Sequence, residues 1–97
     1  MDARLNVERI LDLDEGDAHI IRNAGGLVTD DVLRSLEVSR SLGTEEVVVL
    51  LHTDCGARDG DLDAAVRAAA AQIDGRVTGY VYDVERGTLR GVATPAT

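Results

Sequence analysis

The sequence contains no lysine, tryptophan or phenylalanine, and its only aromatic residues are Tyr80 and Tyr82. A core must therefore be assembled from valine, leucine, isoleucine and alanine. A chain of 97 residues buries only about 60 to 68% of the surface that its unfolded form exposes. We expect one small domain spanning residues 1–97, of marginal stability, that gains from packing against a second copy of itself.

Basic residues are scarce, since ten arginines stand against 18 acidic residues and the formal net charge is -8. This balance argues against a nucleic-acid surface, which needs basic side chains to neutralise phosphates. The longest apolar run, Val47–Leu51, is far too short to span a bilayer, and the first residues contain no apolar signal core. We therefore expect a soluble, cytoplasmic protein with no nucleic-acid or membrane partner.

Cys55 is the only cysteine, so it cannot form a disulfide within the chain. It can be a free thiol, a buried apolar filler or a metal ligand. All three roles are compatible with a reducing compartment.

The first part of the chain predicts a short helix over 6–13, with Asn6 as its N-cap and apolar residues on one face. A short strand is predicted at 18–21. It leads into a loop at 23–26, whose two glycines permit positive φ and a close backbone approach.

The rest of the chain alternates helical and strand patterns. Helices are predicted over 29–43 and 61–75, each beginning at a threonine or aspartate N-cap and closed by a glycine. The run 46–51 is apolar and β-branched without alternation, which predicts a central strand covered on both faces in a parallel sheet. Segments 77–82 and 88–92, joined by a turn, predict a terminal hairpin. The fold class is α/β.

His52 and Cys55 lie three residues apart where the predicted central strand gives way to a loop. In open α/β sheets, ligands bind beyond the carboxyl ends of the strands. Zinc accepts both imidazole nitrogen and thiolate sulfur. Spacing alone favours a different interpretation, a buried structural cysteine beside a hydrogen-bonded histidine. A third interpretation is a thiolate at Cys55, favoured by His52, that acts as a nucleophile or redox switch.

Asp2 and Arg4 are two residues apart and share one face if the segment is extended. They can then form a charge-assisted bidentate pair that holds the carboxylate ionised and oriented. The alternative is a frayed, solvated terminus.

Together these segments resemble the β-class carbonic anhydrases in order and spacing. The resemblance is dense over residues 1–56, and the segment 77–92 resembles the family's closing strand and hairpin. The stretches that carry it are Met1–Leu5, Gly16–Gly26, Val28–Asp31, Leu42–Glu46 and His52–Gly56.

The resemblance implies a small parallel-sheet fold with flanking helices and a C-terminal hairpin. In the family, a C-x-D-x-R motif precedes the H-x-x-C motif. The cysteine of the first motif would immediately precede Met1, so it is missing here, as is the apolar central strand that leads up to it. We therefore expect a fold that lacks the family's first central strand.

The resemblance also implies the roles of the site residues. His52 and Cys55 match two of the family's three zinc ligands, and Asp2 and Arg4 match its catalytic dyad. Asp2 is a possible third ligand, and Gly56 is expected to contact substrate.

Other residues near these motifs receive supporting roles. Asn23, Ala24 and Gly25 are expected to shape the floor of the cavity beside the metal. His19 is expected to make a structural hydrogen bond, and Asp54 to accept hydrogen bonds from turn amides.

The activity implied by the resemblance is zinc-dependent, reversible hydration of carbon dioxide to bicarbonate by a homodimer. With only two certain ligands, the alternative is a non-catalytic relic or fragment that keeps the scaffold as a binding or assembly module. A further alternative is that translation starts upstream of Met1 and supplies the strand and the cysteine.

Overall fold

The computed structural model describes residues 1–56 and 60–94, and these ranges contain both helices and strands, as expected of an α/β fold. A single 3-10 turn, Ala24–Gly26, precedes α2. The regular elements are α1 (Val7–Ile10), α2 (Asp30–Ser41), β1 (Glu46–His52), α3 (Leu62–Ala71), β2 (Arg76–Asp83) and β3 (Thr88–Val92).

The predicted N-caps are confirmed at all three α-helices. Asn6 accepts from the amide of Arg9 at 3.1 Å, and Thr29 accepts from the amide of Val32 at 3.2 Å. An aspartate does the same at α3. Each cap supplies a partner for an N–H group that the first helical turn leaves unpaired.

Among the described residues, no helix is long and apolar enough to cross a membrane.

Two of the predicted elements near the amino end are wrong in extent or kind. The helix predicted over 6–13 spans only Val7–Ile10, because the backbone at Asp12 turns to a φ of 54° and cannot continue a right-handed helix. Residues 18–21 do not form a strand. A strand needs a hydrogen-bonded neighbour, and no described segment pairs with them.

The sheet has three strands within the described ranges, in the order β1-β2-β3. β1 pairs with β2 in parallel, from Glu46 opposite Arg76 to His52 opposite Tyr82. β2 and β3 form the predicted antiparallel hairpin. The sheet is therefore mixed rather than wholly parallel, and β2 is its central strand.

The prediction that β1 is central is wrong for this sheet, because β1 lies at its edge. An apolar run does not report how many strands flank it, and the prediction that both faces of β1 are covered is wrong here as well. Val49 and Leu51 are buried in the core, whereas Val48 remains 43% exposed.

The core lies between α3 and the face of the sheet that carries Val49 and Leu51. Val66 of α3 and Val77 of β2 are its largest fully buried side chains. Gly79 allows this close contact, because a Cβ at that position would overlap Cγ1 of Val66. The absence of a side chain in β2 thus lets the helix lie directly on the sheet.

We predict that Gly79→Ala lowers the free energy of unfolding by about 1 to 3 kcal/mol, since it overpacks the contact with Val66. Gly91→Ala in β3 is the matched control, because nothing lies within 4 Å of an added Cβ there. Its effect should stay within about 0.5 kcal/mol. Urea denaturation of both variants measures the difference, and equal stabilities would refute this packing arrangement.

Candidate active site

Asp2 and Arg4 form the predicted ion pair. Arg4 Nη2 donates to Asp2 Oδ2 at 2.6 Å, and Arg4 Nε donates to Oδ1 at 3.0 Å. The main-chain amide of Arg4 also donates to Oδ1, at 2.8 Å. The segment is a turn rather than extended, closed by the amide of Leu5 donating to the Asp2 carbonyl at 3.2 Å. An extended segment would lack this hydrogen bond between the main-chain groups of Leu5 and Asp2.

Arg22 anchors this turn against the rest of the fold. Its guanidinium donates to the carbonyl of Leu5 at 2.9 Å and also to the carbonyl of Asp2. The Met1 nitrogen donates to the Asn23 carbonyl at 2.8 Å, and Leu5 is buried. The alternative of a frayed, solvated segment is therefore wrong, because polar and apolar contacts both hold residues 1–5 in place.

His52 ends β1 and is buried. Its Nδ1 lies 2.8 Å from the Thr53 carbonyl, which can only accept, so Nδ1 carries the proton and donates. Nε2 is then the basic nitrogen, and it lies 3.9 Å from Asp2 Oδ2. A histidine whose Nδ1–H is held by a carbonyl is oriented for metal binding through Nε2.

Cys55 follows on the loop after β1 and is a partly buried free thiol. It lines the same large open cavity as His52. Asp54, just before it, has a φ of 52° and accepts a hydrogen bond from Arg4 Nη1 at 3.0 Å. Arg4 Nη2 also donates to the Asp54 carbonyl at 2.9 Å. Arg4 therefore ties the loop that carries the cysteine to the turn that carries Asp2.

The donors at this site match zinc in kind. Zinc binds imidazole nitrogen and thiolate sulfur, and a catalytic zinc keeps three protein ligands with an open fourth position. Within residues 1–56 and 60–94, however, no three His, Cys, Asp or Glu side chains are grouped so that they could hold a metal ion. The carboxylate of Asp2, the possible third ligand, is instead engaged by Arg4.

The remaining predicted residues fall in two places. Asn23 and Gly25 line the cavity, and Ala24 lies between them in the 3-10 turn. Asn23 braces this turn through its side-chain amide, which exchanges two hydrogen bonds with the main chain of Leu27, at 2.9 and 3.0 Å. Gly56 is exposed on the loop after Cys55, and its contact with substrate stays a prediction.

His19 has the structural role that was expected of it, since its Nδ1 lies 2.6 Å from Ser39 Oγ. Two other contacts were not anticipated: the bonds from Arg22 to the first turn, and those from Arg4 to Asp54. The partners are 17 and 50 residues apart. No local sequence signal reports contacts of that separation.

The sequence model of the carbonic anhydrase family matches residues 1–77. The chain belongs to the β-carbonic anhydrase family. It is 65% identical over 57 residues to beta-carbonic anhydrase 1 of Mycobacterium tuberculosis, a match covering 58% of this chain and 35% of that protein. The chain therefore spans about a third of the length of this relative.

Two further comparisons agree with this assignment. A carbon disulfide hydrolase of Saccharolobus solfataricus is 46% identical over 83 residues, covering 76% of this chain and 41% of that protein. The crystal structure of carbonic anhydrase from Streptococcus mutans superposes with a TM-score of 0.90 at 39% identity. That match covers 96% of this chain and 77% of the other. The α/β fold is thus that of the β-carbonic anhydrases.

The hydrogen bonds from Arg4 hold the pKa of Asp2 well below its ordinary value of 3.8. A lowered folded pKa means that the pair's contribution to stability is present above the ordinary value and is lost as pH falls through the folded pKa. We predict that the Asp2 carboxyl stays ionised on acidification past pH 3.8, as followed by carboxyl-carbon NMR over the pH range in which the protein remains folded.

Arg4→Gln should return the pKa of Asp2 toward its ordinary value. Arg90→Gln is the matched control, because Arg90 in the same way lowers the pKa of Asp63, with which it makes two hydrogen bonds at 2.8 Å. Arg90→Gln should raise the pKa of Asp63 and leave the pKa of Asp2 unchanged. Titration of Asp2 at its ordinary value in the unmodified chain would contradict the observed geometry.

Proposed function

We propose that this chain carries out zinc-dependent, reversible hydration of carbon dioxide to bicarbonate. The observation that carries the proposal is the 3.9 Å separation between His52 Nε2 and Asp2 Oδ2, with Asp2 held by Arg4. The free ring nitrogen of the proposed metal ligand His52 therefore lies close to an oriented carboxylate oxygen. Membership of the β-carbonic anhydrase family supports the same chemistry.

His52 Nε2 and Cys55 Sγ would hold the zinc, with Asp2 as the possible third protein ligand. Zinc, when bound, would lower the pKa of a water molecule to about 7. This value is established for carbonic anhydrases and is not deduced from this chain. The Nδ1–H bond from His52 to the Thr53 carbonyl fixes the imidazole ring for this role.

Where Asp2 does not itself bind the zinc, it would orient the attacking hydroxyl group. An ionised carboxylate offers about four acceptor positions. Arg4 fills two on Oδ1 and one on Oδ2. The position left over belongs to Oδ2, the oxygen that lies 3.9 Å from His52 Nε2. Asp2 can therefore accept one hydrogen bond from a hydroxyl group beside His52, and Arg4 keeps the carboxylate ionised.

Carbon dioxide and bicarbonate would enter from the cavity that Cys55 and His52 line. Gly56 would lie at the edge of this cavity, and Asn23, Ala24 and Gly25 would form its floor.

We propose a homodimer in the cytoplasm, in which the second copy covers apolar surface that the small core leaves exposed.

Stopped-flow measurement of carbon dioxide hydration, with and without added zinc, tests this proposal. We predict that His52→Gln and Cys55→Ser each lower zinc occupancy and reduce hydration by about 100-fold or more. His19→Gln is the matched control, because it changes the other histidine, which contacts Ser39. This variant should keep both its zinc occupancy and its hydration activity. Hydration that is indifferent to zinc and to Cys55 would refute the mechanism.

Carbon disulfide is a second candidate substrate, supported by the 46% identity to the hydrolase of Saccharolobus solfataricus. Its linear shape resembles that of carbon dioxide, and the same oriented hydroxyl group could attack its carbon. Release of hydrogen sulfide from carbon disulfide by the zinc-loaded chain would show this activity. We predict that carbon dioxide is the faster substrate, and the reverse order would reassign the site. Failure with both substrates in a zinc-loaded chain would favour the non-catalytic alternative.

A further inference from the structure

Asp54 adopts a main-chain conformation that residues other than glycine seldom take. Its φ is 52°, in the left-handed region, and among the described residues only Asp12, with a φ of 54°, shares this feature outside glycine. A residue stays in this region where its surroundings hold it there, and such residues are frequent at functional sites. Asp54 directly precedes Cys55, so this conformation occurs at the candidate site.

The guanidinium of Arg4 is bonded along two edges. On one edge, Nε and Nη2 donate to the two carboxylate oxygens of Asp2. On the other edge, Nη1 donates to Oδ2 of Asp54 at 3.0 Å, and Nη2 donates to the Asp54 carbonyl at 2.9 Å. A planar group that is bonded along two edges cannot turn without breaking the bonds on one of them. Asp54 therefore restricts how Arg4 approaches Asp2.

A second arginine–aspartate pair shows another way in which this contact forms. Arg90 binds Asp63 end-on, because Nη1 and Nη2 each donate to one carboxylate oxygen, both at 2.8 Å. Arg4 instead binds Asp2 side-on, through Nε and Nη2. Its Nη1 is taken by Asp54, and an end-on contact with Asp2 would need that nitrogen.

The side-on contact sets the direction in which the Asp2 carboxylate points. Two parallel hydrogen bonds hold a carboxylate and a guanidinium in a fixed relative orientation. In this orientation Asp2 Oδ2, which has one acceptor position left, lies 3.9 Å from His52 Nε2. A guanidinium that turned to an end-on contact would turn this oxygen with it.

We propose that Asp54 is a positioning residue, which holds Arg4 side-on to Asp2 and thereby keeps the free acceptor position of Asp2 beside His52. The Asp54 side chain is 72% exposed, and an exposed ion pair contributes little to stability, so its role lies in geometry. The consequence for hydration rests on the proposed function. The arrangement of Arg4, in contrast, can be measured on the zinc-free chain.

Nitrogen-15 NMR of the arginine side chains tests the arrangement. Asp54→Gly removes the carboxylate, keeps the carbonyl, and accepts a positive φ without strain. Rotation about the Nε–Cζ bond of Arg4 exchanges its two Nη signals. We predict that this rotation becomes about tenfold faster in Asp54→Gly, because a hydrogen bond between charged groups is lost. Arg90 is the internal reference, since Asp63 holds it, and its rotation should not change.

Two further variants separate the hydrogen bond from the backbone conformation. Asp12→Gly is the matched control, because Asp12 has nearly the same φ and is exposed away from the cavity. It should leave Arg4 unchanged. Asp54→Asn is the conservative variant, since an amide oxygen also accepts from Arg4 Nη1 and asparagine tolerates a positive φ. It should restore most of the slow rotation.

The zinc-loaded chain provides the second readout. Asp54→Gly should lower kcat and kcat/KM for hydration together, by about tenfold, because the interaction that it disturbs is made in the transition state. Zinc occupancy should stay that of the unmodified chain. Asp54→Asn should recover most of the activity, and Asp12→Gly should keep all of it.

Three results would overturn the proposal. The first is unchanged rotation of Arg4 in Asp54→Gly. The second is loss of zinc from Asp54→Gly, which would mean that Asp54 shapes the loop of Cys55 instead. The third is an equal effect of Asp54→Gly and Asp54→Asn, which would assign the effect to charge alone. An unmodified chain that binds zinc without hydrating carbon dioxide would refute the proposed function, and faster rotation of Arg4 in Asp54→Gly would still support the positioning role.

Discussion

The site depends on the guanidinium of Arg4, which joins two parts of the chain that are far apart in sequence. It holds the carboxylate of Asp2 and also both the carboxylate and the carbonyl of Asp54. Removing it would uncouple the turn that carries Asp2 from the loop that carries Cys55, although Arg22 would still anchor the turn. A planar group with five donors can bind both at once, whereas a lysine ammonium could not match this geometry. Arg4 therefore positions the turn and the loop relative to each other in addition to keeping the Asp2 carboxylate ionised.

The features that could be predicted from sequence are those set by residues close together in the chain. Thr29 and Asp61 each accept a hydrogen bond from the amide three residues on, so their capping role is readable from residue type and position. The hairpin of β2 and β3 is likewise local. The pairing of Asp2 with Arg4 was predicted because they lie two positions apart, even though the expected extended segment is a turn.

The features that could not be predicted depend on neighbours distant in sequence. The apolar run of β1 predicted a central strand covered on both faces, but Val48 is 43% exposed and β1 lies at the edge of the described sheet. The strand expected at 18–21 has suitable residues, but no described segment pairs with it, and the prediction is wrong. Residues 18–22 and β1 line the same cavity as His52 and Cys55.

The central claim is that His52 and Cys55 bind one zinc ion. X-ray absorption at the zinc edge of the zinc-loaded chain tests it most directly. We predict a first shell with one sulfur at about 2.3 Å and at least one nitrogen at about 2.0 to 2.1 Å. A shell of nitrogen and oxygen alone, with no sulfur, would contradict the account, because the thiol and the imidazole would then not share a metal.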